Sequence, residues 1–75
     1  MRELTVRVTW DDEADAWIAF SDDLPGLAIE HADFDQIMEI LLDVGPDLVS
    51  ANLKLDPRNV TFHLIAERLL PVAAE

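Results

Sequence analysis

Two stretches of alternating side chains, one near each end of the sequence, bracket a single helical stripe, and this arrangement restricts the chain to a small α+β fold. Leu4, Val6, Val8 and Trp10 alternate with Thr5, Arg7 and Thr9, the period of a strand with one buried face. Val60, Phe62, Leu64 and Ala66 alternate in the same way with Thr61, His63, Ile65 and Glu67. Between them Phe34, Ile37, Met38, Leu41 and Leu48 recur at helical spacing, with Leu42 and Val44 widening the stripe and Asp35, Glu39, Asp43 and Asp47 on the other face.

Punctuation supplies the remaining elements. Asp11-Asp12-Glu13-Ala14-Asp15 is a polar turn, and Ala16–Phe20 is the returning strand of a hairpin. Ser21-Asp22-Asp23-Leu24-Pro25-Gly26 is a second turn, in which Gly26 can supply a positive φ, and Leu27–His31 forms a short third strand. Asp33 followed by Gln36 has the form of a capping box, so the helix starts near Phe34 and runs to about Asn52. Gly45-Pro46 should interrupt it, because proline inside a helix removes a hydrogen bond, and a second piece should start at Pro46. The order β-β-β-α-β has a crossover helix returning the chain to the start of the sheet. It predicts a two-layer, four-stranded mixed sheet in order 3-2-1-4, helix on one face, with the fourth strand parallel to the first.

Length and composition narrow the class. With 75 residues there is room for one core, and a 51% hydrophobic content is too high for a disordered segment. The absence of cysteine excludes disulfides and thiol chemistry and points to the cytoplasm. Neither a secretion signal nor a membrane segment is expected, since no apolar run approaches the ~18 residues that a span requires.

Charge carries the functional information. The net charge is −11, and between Val8 and Leu53 twelve carboxylates occur without one Lys or Arg. Such a field repels phosphate backbones and anionic lipid and steers cationic partners inward. Direct nucleic-acid binding and membrane association are therefore not expected, while a basic protein partner is.

Catalysis and metal binding lack a complete constellation. Asp11, Asp12, Glu13, Asp15, Asp22 and Asp23 fall in turns, where solvated charge is the ordinary role. The segment Asp11–Asp15 also lacks the glycine and distal glutamate of a calcium loop. His31 precedes the helix cap, and His63 is out of phase with the apolar positions of its strand, which puts it on the face away from the helix. No cofactor is called for. If Ile18 and Phe20 point to the helix, Trp17 and Ala19 point outward beside Thr5, Thr9, His63 and Ile65 and make an aromatic patch on an open sheet face. An uncovered apolar face on so small a domain is expected to be hidden in a homo-oligomer or against a partner. The expected partner-binding residues are Asp11, Asp12, Asp22, Asp23, Trp17, His63 and Ile65.

The runs Val6-Arg7-Val8-Thr9-Trp10-Asp11-Asp12-Glu13-Ala14, Ala16-Trp17-Ile18-Ala19 and Ser21-Asp22-Asp23-Leu24-Pro25-Gly26-Leu27 resemble a small prokaryotic domain family known as DUF1902, allied to the HicB-like antitoxins. The resemblance continues through Pro46-Asp47-Leu48-Val49 and Phe62-His63-Leu64-Ile65-Ala66-Glu67-Arg68. It implies a single domain with a degraded ribonuclease H-like fold, and a role in neutralising a small, basic, RNA-cleaving toxin of HicA type. Many HicB-like proteins also carry a C-terminal DNA-binding module. This sequence ends at Glu75 without room for one, so autoregulation at an operator is not expected of it. The alternative is a stand-alone, homo-oligomeric accessory or regulatory domain with no toxin.

Overall fold

The computed structural model describes residues 1–73. β1 (Arg2–Asp11) pairs antiparallel with β2 (Ala16–Phe20), which pairs antiparallel with β3 (Ala28–His31). Helix α1 (Phe34–Leu48) then carries the chain back, and β4 (Val60–Glu67) lies parallel to β1 on its other side. The sheet order is β3-β2-β1-β4, the order expected from the sequence.

Register decides which side chains meet the helix, because residues directly opposite one another share a face. Val8 opposes Ala19 and Ala66, Ala19 opposes Ile29, and Trp10 opposes Trp17. Leu4, Val6, Val8, Ala19 and Ile29 are buried beneath Ile37 and Leu41 of α1, with Leu24, Leu27 and Val49 closing one end of the core. Each of the leucine, isoleucine and valine side chains contributes roughly 1.5–3 kcal/mol on full burial.

Trp17 therefore lies on the helix side, contrary to the outward placement. Its ring meets Phe34 edge to face at 5.1 Å and Trp10 at 5.5 Å. Ile18 and Phe20 take the open face instead. The turn sets this parity: Asp11 pairs with Ala16, and Asp15 adopts φ 50° so that four residues can close the loop. Asp11 braces it by accepting from the backbone N–H of Glu13 and Ala14 at 3.0 and 3.4 Å.

The helix also departs from expectation. It runs unbroken through Gly45-Pro46 to Leu48, and only then widens into a π-helical turn, Val49–Leu53. Pro46 offers no N–H to the Leu42 carbonyl, but Leu42 is exposed, so solvent can serve that oxygen and the break is avoided. The N–H of Val49 is shared between Gly45 O and Pro46 O, and Lys54 ends the turn in the left-handed region at φ 57°. At the other end the Asp33 carboxylate accepts from Asp35 N–H at 2.9 Å, but Gln36 does not complete the box: Asp33 N–H donates to His31 Nδ1 at 2.9 Å.

The Leu24-Pro25-Gly26-Leu27 turn is closed by Leu27 N–H donating to Leu24 O, with Gly26 at φ 89°. Asn52 Nδ2 donates to Pro25 O at 2.7 Å, so this turn docks on the widened end of the helix. A Cβ on Gly26 would come within 2.9 Å of that same Asn52 nitrogen, a second reason for glycine there.

Candidate functional site

The topology separates the four turn aspartates. Asp11 and Asp12 lie where β1 turns into β2, whereas Asp22 and Asp23 follow β2 at the opposite end of the sheet. β2 spans about 17 Å at ~3.3 Å per residue, so the two pairs do not form one patch. Asp23 has a structural task. Its Oδ2 accepts from Thr5 N–H at 2.8 Å, while Ser21 Oγ, 2.5 Å from the Thr5 carbonyl, donates to it. Together they continue β2's pairing with β1 one step beyond its last residue.

Asp11 and Asp12 instead share their end of the sheet with Glu13, Asp15, Asp33 and Asp35, since β3 delivers the chain there before α1 begins. In the middle stands the aromatic group of Trp10, Trp17 and Phe34. Asp12 Oδ1 accepts the indole N–H of Trp10 at 2.8 Å, and the Arg68 guanidinium lies over the Trp10 ring, 3.9 Å from its centre and 5.7 Å from that of Trp17. This cation–π contact was not evident from sequence, because Arg68 is separated from Trp10 by most of the chain and only the β1–β4 register brings them together.

His63 and Ile65 lie on the open face of β4, in register with Thr5 and Arg7. His63 Nδ1 is 3.3 Å from Glu3 Oε1, and Arg7 Nη1 is 3.9 Å from Glu67 Oε1. One row across this face reads Ala28, Phe20, Arg7, Ile65, and the next reads Glu30, Ile18, Thr9, Glu67. The face is banded with charge and carries no tryptophan. It is not the aromatic patch that the alternation suggested.

A different apolar surface lies on the helix side. Met38 and Leu42, assigned by their spacing to the core stripe, are 41% and 69% exposed. They border a hollow of about 180 Å³ with Leu41, Phe62 and Leu64. A neighbouring hollow of about 310 Å³ shares Leu42 and Phe62 and continues along Pro46, Val49, Pro57 and Val60. The groove thus runs along the free edge of β4. Periodicity could not reveal it, since a stripe slightly too wide for the core looks the same in sequence as one that fits.

Among the described residues no group of three or more His, Asp or Glu side chains is placed to hold a metal ion, and no helix is long and apolar enough to cross a membrane. Asp56 and Arg58 form an ion pair, with Arg58 Nη2 2.8 Å from Asp56 Oδ2. Their mutual hydrogen bonds hold the carboxyl below and the guanidinium above their ordinary values. Both lie at the surface and organise the Pro57–Asn59 turn into β4.

Comparison with known proteins agrees with this architecture. The hypothetical protein TTHA1013 from the extremely thermophilic bacterium Thermus thermophilus has a similar crystal structure, with a TM-score of 0.69 and 34% sequence identity over 97% of this chain and all of that one. No curated protein matches. The model of a family described as a domain of unknown function, DUF1902, matches residues 3–72. With that match covering the helix and all but the first residue of the sheet, the chain belongs to the DUF1902 family.

Proposed function

We propose that this domain is a non-catalytic binding module of HicB-like antitoxin type, which acts in the cytoplasm by docking a basic protein, an RNA-cleaving toxin of HicA type. The observation that carries the reading is the end of the sheet that Asp11, Asp12, Glu13, Asp15, Asp33 and Asp35 share with Trp10, Trp17 and Phe34, where Asp12 holds the Trp10 indole N–H. A toxin that grips RNA must present arginine and lysine, and this end offers them carboxylates beside half-buried indole rings. The chain's own Arg68 on Trp10 illustrates the mode of contact. Among the described residues no three carboxylates are placed to hold a metal ion together, as two-metal ribonuclease chemistry requires, and this favours binding over catalysis.

The test is co-expression with any small basic reading frame found adjacent to its gene, followed by binding kinetics on the purified pair. The neighbour should be toxic alone and harmless with this chain. Asp11→Asn/Asp12→Asn should slow association, whereas Asp22→Asn/Asp23→Asn, at the far end, should slow it less. Asparagine retains each acceptor oxygen, so the fold is kept while charge is removed. A neighbour that is harmless alone, or toxic regardless, defeats the antitoxin reading and leaves a homo-oligomeric accessory domain. Metal-dependent RNA cleavage by the purified chain would defeat both.

A further inference from the structure

The two edges of the sheet are unlike. The β3 edge is four residues long, carries Glu30, and is flanked by Asp22 and Asp23 at one end and Asp33 at the other. Short length and charge are the usual defences of a strand edge. The β4 edge is eight residues long, and from Val60 to Ala66 it contains no charged residue other than an ionisable histidine and no proline. Beside it lies the groove of Met38, Leu42, Phe62 and Leu64. An unguarded strand edge along an apolar groove is built to be covered.

Charge identifies what covers it. A chain of net charge −11 meets another copy of itself at least cost where carboxylates are fewest, and β4 is that place. A basic partner would gain nothing there and is drawn elsewhere. We propose that β4 pairs antiparallel with β4 of a second copy, about a two-fold axis through Leu64, joining two four-stranded sheets into one.

The position of the axis follows from parity. Val60, Phe62, Leu64 and Ala66 face the helix side, and residues directly opposite must share a face, so the axis passes through a residue and not between two. An axis at His63 sets two imidazoles against each other, each with a Glu3 carboxylate beside it. One at Phe62 opposes two large rings and leaves Ala66 and Glu67 beyond the strand pair. At Leu64 the large Phe62 meets the second copy's small Ala66, Thr61 meets Glu67, and Ile65 meets His63. The exposed Met38 and Leu42 then border the same seam from both sides.

The chain has no cysteine, so single-cysteine variants give a clean readout. Antiparallel neighbours have Cα atoms about 4.5–5.5 Å apart, within the range a disulfide spans. Sedimentation equilibrium should show a concentration-dependent dimer, and Leu64→Cys should cross-link it on mild oxidation, while His63→Cys and Glu30→Cys should not. Leu42→Glu/Ala66→Glu, at two exposed positions, should weaken self-association by roughly tenfold or more, as unpaired charge in an interface does. Unchanged Trp10 and Trp17 fluorescence will show that this variant is folded. A concentration-independent monomer overturns the proposal, as does a dimer untouched by the double variant. Cross-linking through Glu30→Cys in place of Leu64→Cys overturns the choice of edge, and through His63→Cys the choice of axis. None of these measurements involves a toxin, so the dimer can fail while the antitoxin reading stands, and the reverse.

Discussion

Gly45 of α1 rests against the ring of Phe62 on β4, so closely that a Cβ on Gly45 would lie 2.6 Å from Phe62 Cε2. Because Phe34 at the other end of the helix meets Trp17 on β2, α1 crosses the sheet diagonally from β2 to β4. Gly45→Ala should therefore destabilise the fold. Alanine gains about 1 kcal/mol in helix propensity, but overpacking costs roughly 1–3 kcal/mol. The half-buried ring can shift only part of the way, which leaves a net loss of about 1 kcal/mol and lowers Tm by roughly 5 °C for a domain of this size. Adding Phe62→Leu to that variant should recover stability, where the same change alone reduces it. Thermal melts of the four proteins decide the matter, and a rise in Tm for Gly45→Ala alone would refute the contact.

Trp17 belongs to the core side, and its removal should be felt first in folding. Trp17→Ala takes away edge-to-face contacts with both Trp10 and Phe34 and loosens the seat of Arg68. The expected loss is about 3 kcal/mol, the lower end for truncating a large aromatic because this one is half-buried. Urea titration should register it. A variant as stable as the parent would return Trp17 to the surface role that the alternation suggested.

Asp23 separates charge from hydrogen bonding. Asp23→Ala leaves Thr5 N–H without its acceptor and should cost about 1 kcal/mol, while Asp23→Asn keeps an oxygen in place and should cost less. Amide exchange at Thr5 reads this directly: faster in the alanine variant, near the parental rate in the asparagine one.

Asp56 gives the acid side of the stability curve a sign. Its carboxyl is held below its ordinary value of 3.8 by donors from Arg58, so the folded state binds this proton less readily than the unfolded chain. The stabilisation is fully present above that ordinary value and fades as pH falls through the lowered one. The difference in urea midpoint between the parent and Asp56→Asn should shrink as pH is lowered from about 5 to 2. A gap that is constant with pH would show that Arg58 does not discriminate between the two forms.

The legible and illegible parts of the sequence divide along a physical line. β1 and β4 could be oriented because each alternates polar with apolar residues, so burial has one solution. β2 could not, since Ala16-Trp17-Ile18-Ala19-Phe20 is apolar on both faces, and its parity is fixed by how many residues close the preceding turn. Pro46 was recognisable as a defect in the helix, but whether the chain breaks there depends on the exposure of Leu42, a tertiary fact. Residues of the acidic turns were visible as charge, and their division between the two ends is a consequence of topology. The meeting of Arg68 with Trp10 and the hollow shared by Met38 and Phe62 depend on β4 returning beside β1, and no local pattern encodes either.

Salt should act on the two proposed contacts with opposite signs. A chain of −11 resists meeting its copy, so screening should tighten the β4 dimer, whose cohesion comes from backbone pairing and apolar side chains. Association with a basic toxin is instead driven by that field. Raising salt from about 0.1 to 1 M shortens the Debye length from ~10 to ~3 Å, and should slow the encounter by at least about tenfold. Asp11→Asn/Asp12→Asn should flatten this dependence by removing charge from the aromatic end, and should leave dimerisation little changed. Leu42→Glu/Ala66→Glu should do the reverse, weakening the dimer while the rate of toxin capture holds. Sedimentation and stopped-flow measurements on the same two variants across the same salt series would resolve the surfaces. If either variant shifts both processes in parallel, a single surface serves both contacts and the assignment of β4 to a second copy is lost.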